Sequence, residues 1–138
     1  QAMVAVVQRL SIRVQTSVKD KLSGQVLHVR TGTLRRSINR VVRSDEHGVV
    51  ATVGTNVRYA AVHEYGFDGD VTVRGHVRKV AAGSVGSGKR QTVQGIAFVR
   101  EHVRHMHMPE ASFLRSSLRE FEPEIRSDVK AAALEAIR

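Results

Sequence analysis

Apolar residues at Met3, Val7, Leu10, Val14, Val18 and Leu22 recur every three or four positions, as one face of a helix requires. They predict a helix from about Ala2 to Leu22, ended by Ser23-Gly24, with Arg9, Arg13, Gln15, Thr16, Lys19 and Lys21 on its other faces. Val26 to Arg30 reads as an extended link and Thr31-Gly32 as a turn, after which Leu34, Ser37 and Ile38 begin the next element. The period then falls to two. Asn39 to Arg43, the turn residues Asp45-Glu46-His47-Gly48 and the run Val49 to Gly54 predict an antiparallel hairpin. Between Gly54 and Gly66 helical spacing returns, with Tyr59, Val62 and Tyr65 expected to lay one face on the core. Asn56 is the expected N-cap of this short helix, and Gly66 suits the left-handed position after its end.

Beyond Gly66, Val71, Val73, Val77 and Val80 alternate with Thr72, Arg74 and Arg78, with Gly75 as a bend, and Ile96, Phe98, Val99 and Val103 suggest a returning strand. Residues 68–107 therefore predict an extended hairpin. Its glycine- and serine-rich tip, residues 81–95, has little to bury and is expected to be mobile until a neighbour orders it. Leu114, Leu118, Phe121, Ile125, Val129, Ala132 and Ala136 predict a C-terminal helix that Pro123 should kink or split. The fold class is α+β: an antiparallel sheet of about four strands, with a long N-terminal and a kinked C-terminal helix packed on it, in a single domain spanning residues 1–138.

Composition narrows the class. A chain of 138 residues is long enough for a real core, and the absence of cysteine excludes disulfides and thiolate metal sites. No apolar run approaches a membrane span, and Gln8 and Arg9 interrupt any signal-peptide core, so a soluble, cytoplasmically made protein is expected. The net charge of +9 is unevenly placed. Residues 1–43 carry nine Lys/Arg against Asp20 alone, and residues 68–108 carry seven against three acids. Residues 109–138, with Glu110, Glu120, Glu122 and Glu124, are slightly acidic and could face a basic neighbouring copy. Such asymmetry points to an anionic partner, nucleic acid or acidic protein. Arg35, Arg36, Arg40 and Arg43 have no interleaved aromatics for base stacking, so their contacts would be to phosphates or carboxylates.

Three stretches invite catalytic or metal readings, and each lacks a part. His63-Glu64 starts a zinc-protease pattern, but Tyr65, Gly66 and Phe67 follow where the second histidine is needed. Gly83 to Lys89 has phosphate-loop spacing, yet Arg90 replaces the magnesium-holding hydroxyl and no helix pattern follows. His105 and His107 share one strand face without an obvious third ligand, and His102 lies off that face. Neither enzyme activity nor a cofactor or metal is expected. Glu64 is expected to accept backbone or arginine hydrogen bonds at a subunit contact.

Three motifs occur in order. The first is Thr31-Gly32-Thr33-Leu34-Arg35-Arg36-Ser37-Ile38. The second runs from Val53-Gly54-Thr55-Asn56 through Tyr59-Ala60 to His63-Glu64-Tyr65-Gly66, and the third is Pro109 followed by Phe113-Leu114 and Leu118. Over residues 29–118 they resemble the neck and tail-completion (head–tail joining, virion morphogenesis or tail-component) proteins of long-tailed bacteriophages. Between Gly66 and Pro109 the pattern lapses, and no role is carried onto that segment. The resemblance implies a structural virion protein of the head–tail junction, assembled in the bacterial host cytoplasm and acting as neck, tail-completion or tail-terminator protein. It implies a ring of identical subunits, sixfold favoured and twelvefold possible, around the channel that genomic DNA traverses. Connector or stopper, tail-terminator or tail-tube proteins would be its neighbours, with no membrane. Candidate interface residues are Arg35, Arg36, Arg58, Tyr59, His63, Glu64, Tyr65, Gly66 and Phe113, with Lys89 and Arg90 on the tip. The alternative is a small nucleic-acid-binding protein using its basic first third.

Overall fold

The computed structural model describes residues 2–28, 30–80 and 95–137. Lys89, Arg90 and nearly all of the 81–95 tip lie outside these. The chain forms two compact units, one comprising Gln1–Phe67 with Met108–Arg138 and the other Asp68–His107.

In the first unit, α1 (Ala2–Asp20) buries Leu10, Val14 and Val18 from the expected stripe, and Leu22 is buried just beyond it. A wide turn at Lys21–Gln25 ends the helix where Gly24 takes φ +118. After Gly32 at φ +71, α2 (Thr33–Ser37) makes a single short helix. The expected hairpin follows as β1 (Asn39–Asp45) and β2 (Gly48–Gly54), in register from Asn39↔Gly54 to Asp45↔Gly48. Asp45 Oδ1 closes its turn by accepting the backbone N–H groups of His47 and Gly48 at 2.8 and 3.0 Å. Next comes α3 (Ala60–Tyr65), and α4 (Leu114–Ala136) completes the unit.

The core joins Val14, Val18 and Leu22 to Ile38, Ala60 and Phe113, with Leu34, Val53, Phe121 and Ile125 packed around them. Phe113 is fully buried, and truncating such a residue to alanine costs about 3–5 kcal/mol. The two long helices run antiparallel, because Arg9 pairs with Asp128, Arg13 with Glu124 and Lys21 with Glu120. The acidic helix is thus held by basic side chains of its own chain, where Glu120 and Glu124 each have a partner. Lys21, expected on an outer face, is 7% exposed, and its Nζ donates to Ser116 Oγ at 2.8 Å and Glu120 Oε1 at 2.6 Å.

Two further expectations for α4 change. The helix continues through Pro123 without splitting, and Leu118, assigned to its apolar stripe, is 56% exposed. Ser117 takes the buried place instead: its hydroxyl donates to the Phe113 carbonyl at 2.7 Å and lies 3.2 Å from Ser17 Oγ of α1. A small hydroxyl that satisfies itself on its own helix lets the two helices approach closely.

The second unit contains β4 (His76–Val80) and β5 (Gly95–Val99), paired antiparallel with Val77 opposite Phe98. It also holds most of β3 (Phe67–Val73) and β6 (His102–Met108), which pair with each other. These two ladders are the described part of the expected 68–107 hairpin, whose tip lies outside the described residues. The class is α+β as expected, but the described strands form three two-stranded ladders rather than one sheet of about four. Asp68 and Asp70 of β3 lie across from His107 and His105 of β6. His105 places Nδ1 2.9 Å from Asp70 and Nε2 2.9 Å from Asp68. Each ring nitrogen thus faces a different carboxylate, so the expected same-face pair meets acids across the ladder. No group of three or more ligating side chains converges on a metal position among the described residues.

Candidate functional site

Hydrogen bonds join the three motifs around α3. At its entry, Ser37 Oγ lies 2.6 Å from Thr55 Oγ1, linking the end of the first motif to the second. Thr55 Oγ1 also accepts the Val57 N–H at 3.1 Å and closes the turn before α3; the helix begins only at Ala60, with Tyr59 at the cap position, so Asn56 is not its N-cap. Its inward residues are Ala60 and Glu64, one helical turn apart, both buried. Tyr59 and Tyr65, expected on the core face, are 45% and 64% exposed. The correction has a simple cause: the aromatic residues share helical spacing, but the fold buries the small residue and the carboxylate between them.

Glu64 is the one buried carboxylate among the described residues, at 3% exposure. Its Oε2 accepts the backbone N–H groups of Phe113 at 2.8 Å and Leu114 at 2.9 Å. Oε1 accepts the Arg115 N–H and the Ser112 hydroxyl, each at 2.9 Å, and Arg115 Nε at 3.1 Å. These N–H groups belong to the first turn of α4, which has no intrahelical partner for them, and Phe113 at the cap position supplies no capping side chain. A carboxylate from α3 therefore caps α4, and its charge complements the positive end of the helix dipole. Burial alone would raise the Glu64 carboxyl. The N–H donors of Leu114, Arg115 and Phe113, with the Ser112 hydroxyl, outweigh it and hold the group below its usual value near 4.5.

Arg115 completes the arrangement. Its Nη2 donates to the Glu64 carbonyl at 2.9 Å and to Glu110 Oε1 at 2.7 Å, while its guanidinium lies 4.4 Å from the Tyr65 ring centroid. The Ala111 N–H donates to the His63 carbonyl at 2.8 Å. Gly66 turns the chain out of α3 at φ +74, and a Cβ there would lie 3.0 Å from both the Met108 carbonyl and the Glu110 nitrogen.

Of the candidate interface residues, Glu64 and Phe113 present almost no surface, since both are consumed inside the chain. Arg58, Tyr59 and Tyr65 are exposed, as are Arg35 and Arg36, and His63 is half-buried. Arg36 donates to the Thr31 carbonyl at 3.1 Å. Arg35, Tyr59 and His63 line one cavity of about 620 Å³ around the Thr31-Gly32 turn. Sequence reasoning missed Arg115, Glu110 and Ser112. The available signal was the donor-rich start Ser112-Phe113-Leu114-Arg115, which lacks a glutamate of its own three residues after Ser112.

The three linked motifs and the Glu64 cap lie within or beside the stretch that matches the family model for phage virion morphogenesis, residues 9–114, more than half of the chain. The chain belongs to the phage virion morphogenesis family. The match begins inside α1 and ends at the first residue of α4. No curated protein and no solved structure is significantly similar to this member of the family. No helix among the described residues is long and apolar enough to cross a membrane.

Proposed function

We propose that this phage virion morphogenesis protein is a structural component of the head–tail junction, acting in tail completion or as neck or terminator protein. Identical subunits form a ring around the DNA channel and join the tail to the filled head. The observation that carries this reading is the family match over residues 9–114. The structure supports it through the use made of Glu64. All five hydrogen bonds at its carboxylate go to the start of α4 and the two residues before it, which suits a frame that fixes one helix against another. Six copies would match a tail tube, and twelve a portal-like neighbour. The genomic DNA would pass through, so lumenal contacts must be weak and independent of sequence. Connector, stopper, terminator or tail-tube proteins are the neighbours such a ring would touch.

A second reading, a small nucleic-acid-binding protein, draws on one observation. Arg9, Arg13 and Lys21 are paired with carboxylates of their own chain, but Arg35, Arg40 and Arg43 have no carboxylate within ion-pair distance among the described residues. The test is to locate the protein in purified virions by gold-labelled antibody and count its copies by quantitative mass spectrometry. Label at the head–tail junction, in a copy number that closes a ring, supports the first reading. Absence from virions with submicromolar duplex binding supports the second.

A further inference from the structure

The cavity at the Thr31-Gly32 turn has an apolar floor and a basic rim. Leu22, Leu27 and Leu34 form the floor. Arg30 and Arg35, with the imidazoles of His28 and His63, stand around it, and no carboxylate lines it among the described residues. Neither arginine has an ion-pair partner among the described residues. The matching ligand is an apolar side chain next to a carboxylate.

That chemistry occurs at the far end of α4. Leu134 is 59% exposed and Ile137, the cap residue just past the helix in right-handed backbone, 83%, three residues apart and so on one side, with exposed Glu135 beside them. The same chain cannot bring the two together. Leu22 follows Lys21, which grips Glu120, and the antiparallel α4 then runs away from the cavity along α1. The fifteen residues from Glu120 to Glu135 carry that end roughly 22 Å off at 1.5 Å per residue. Cavity and helix end thus lie at opposite ends of the first unit, and a contact between them must join two copies head to tail.

We infer that the last turn of α4 in one copy docks into the Thr31-Gly32 cavity of the next. Leu134 and Ile137 would cover the leucine floor, and Glu135 would pair with Arg30 and Arg35. Such a contact is heterologous and closes into a ring when its rotation permits. It rests on the ring reading above and supplies the contact that reading lacks. A DNA backbone fits less well, because phosphate and sugar offer nothing to the leucine floor.

The absence of native cysteine gives a clean test. Thr33→Cys, at the cavity, and Glu135→Cys are made singly and oxidised in a mixture at high protein concentration. Disulfide between the two different variants should exceed either self-pair by about tenfold or more, as a specific contact of modest energy requires. A chain carrying both substitutions should give a ladder of multimers. In the cysteine-free protein, Arg35→Glu and Glu135→Arg should each weaken self-association in the ultracentrifuge by about tenfold. Their combination should regain most of the loss, and Arg43→Glu, outside the cavity, should change little. Unselective cross-linking, intramolecular closure of the double-cysteine chain, or no recovery in the combined swap would overturn the contact. So would protection of Thr33→Cys from alkylation by duplex DNA but not by a peptide of residues 126–138. Rings seen in virions without the selective cross-link would sink this contact and leave the proposed function standing. Selective cross-linking of a protein absent from virions would do the reverse.

Discussion

Replacing Glu64 by glutamine keeps the shape of the side chain and removes its charge and one acceptor. In the better orientation the amide oxygen takes the Oε2 position and still accepts from Phe113 and Leu114. The new NH2 group then points at Ser112, Arg115 N–H and Arg115 Nε. The serine hydroxyl can turn and accept, but both arginine donors lose their partner. Arg115 Nε can reach water, since that side chain is 37% exposed, whereas the backbone N–H is part-buried. One poorly satisfied N–H at about 1–3 kcal/mol, with the loss of charge assistance in the remaining bonds, gives a destabilisation of about 2–4 kcal/mol near pH 7. The dependence on pH fixes the cause. A carboxyl held below its usual value near 4.5 contributes stability fully present above that value. This contribution is lost as pH falls through the lower folded value. Urea unfolding of wild type and Glu64→Gln from pH 7 to pH 3 should therefore show two curves converging below about pH 4.5. A difference under about 1 kcal/mol at pH 7, or one unchanged by pH, would refute the capping role.

Other outcomes follow from the same geometry. Gly66→Ala forces an L side chain into positive φ and against two backbone atoms at 3.0 Å, so it should cost more than about 1 kcal/mol by thermal unfolding; an unchanged midpoint would mean the turn relaxes freely. Lys21→Ala removes a buried stem and its bonds to Ser116 and Glu120, for a loss of about 1–3 kcal/mol, while Lys19→Ala in α1 should stay within about 0.5 kcal/mol. Duplex DNA binding should be weak, independent of sequence and steeply reduced by salt, and further reduced in the Arg35→Ala/Arg36→Ala protein. Submicromolar sequence-specific binding at physiological salt would favour the nucleic-acid reading.

The elements most legible in the sequence were those fixed by local pattern. The α1 stripe and the β1–β2 hairpin with its Asp45 turn stand nearly where their periods put them. Long-range partners were not legible. Glu64 sits 49 residues from Phe113, and a period counted in apolar residues passes over a buried carboxylate. The same counting placed Tyr59 and Tyr65 inside and Lys21 outside. The acids of α4 were matched to a neighbouring copy, because nothing local shows that an antiparallel stretch of the same chain carries Arg9, Arg13 and Lys21 at matching heights. His105 and His107 were seen to share a face, but Asp68 and Asp70 entered it only through the register of the ladder.

In the role proposed above, this member of the phage virion morphogenesis family joins tails to heads. Electron microscopy of particles made without the protein tests it most directly. DNA-filled heads and separate tails should accumulate side by side, restored to whole phage by adding wild-type protein but poorly by Glu64→Gln. Normally joined, infectious particles in its absence would contradict it.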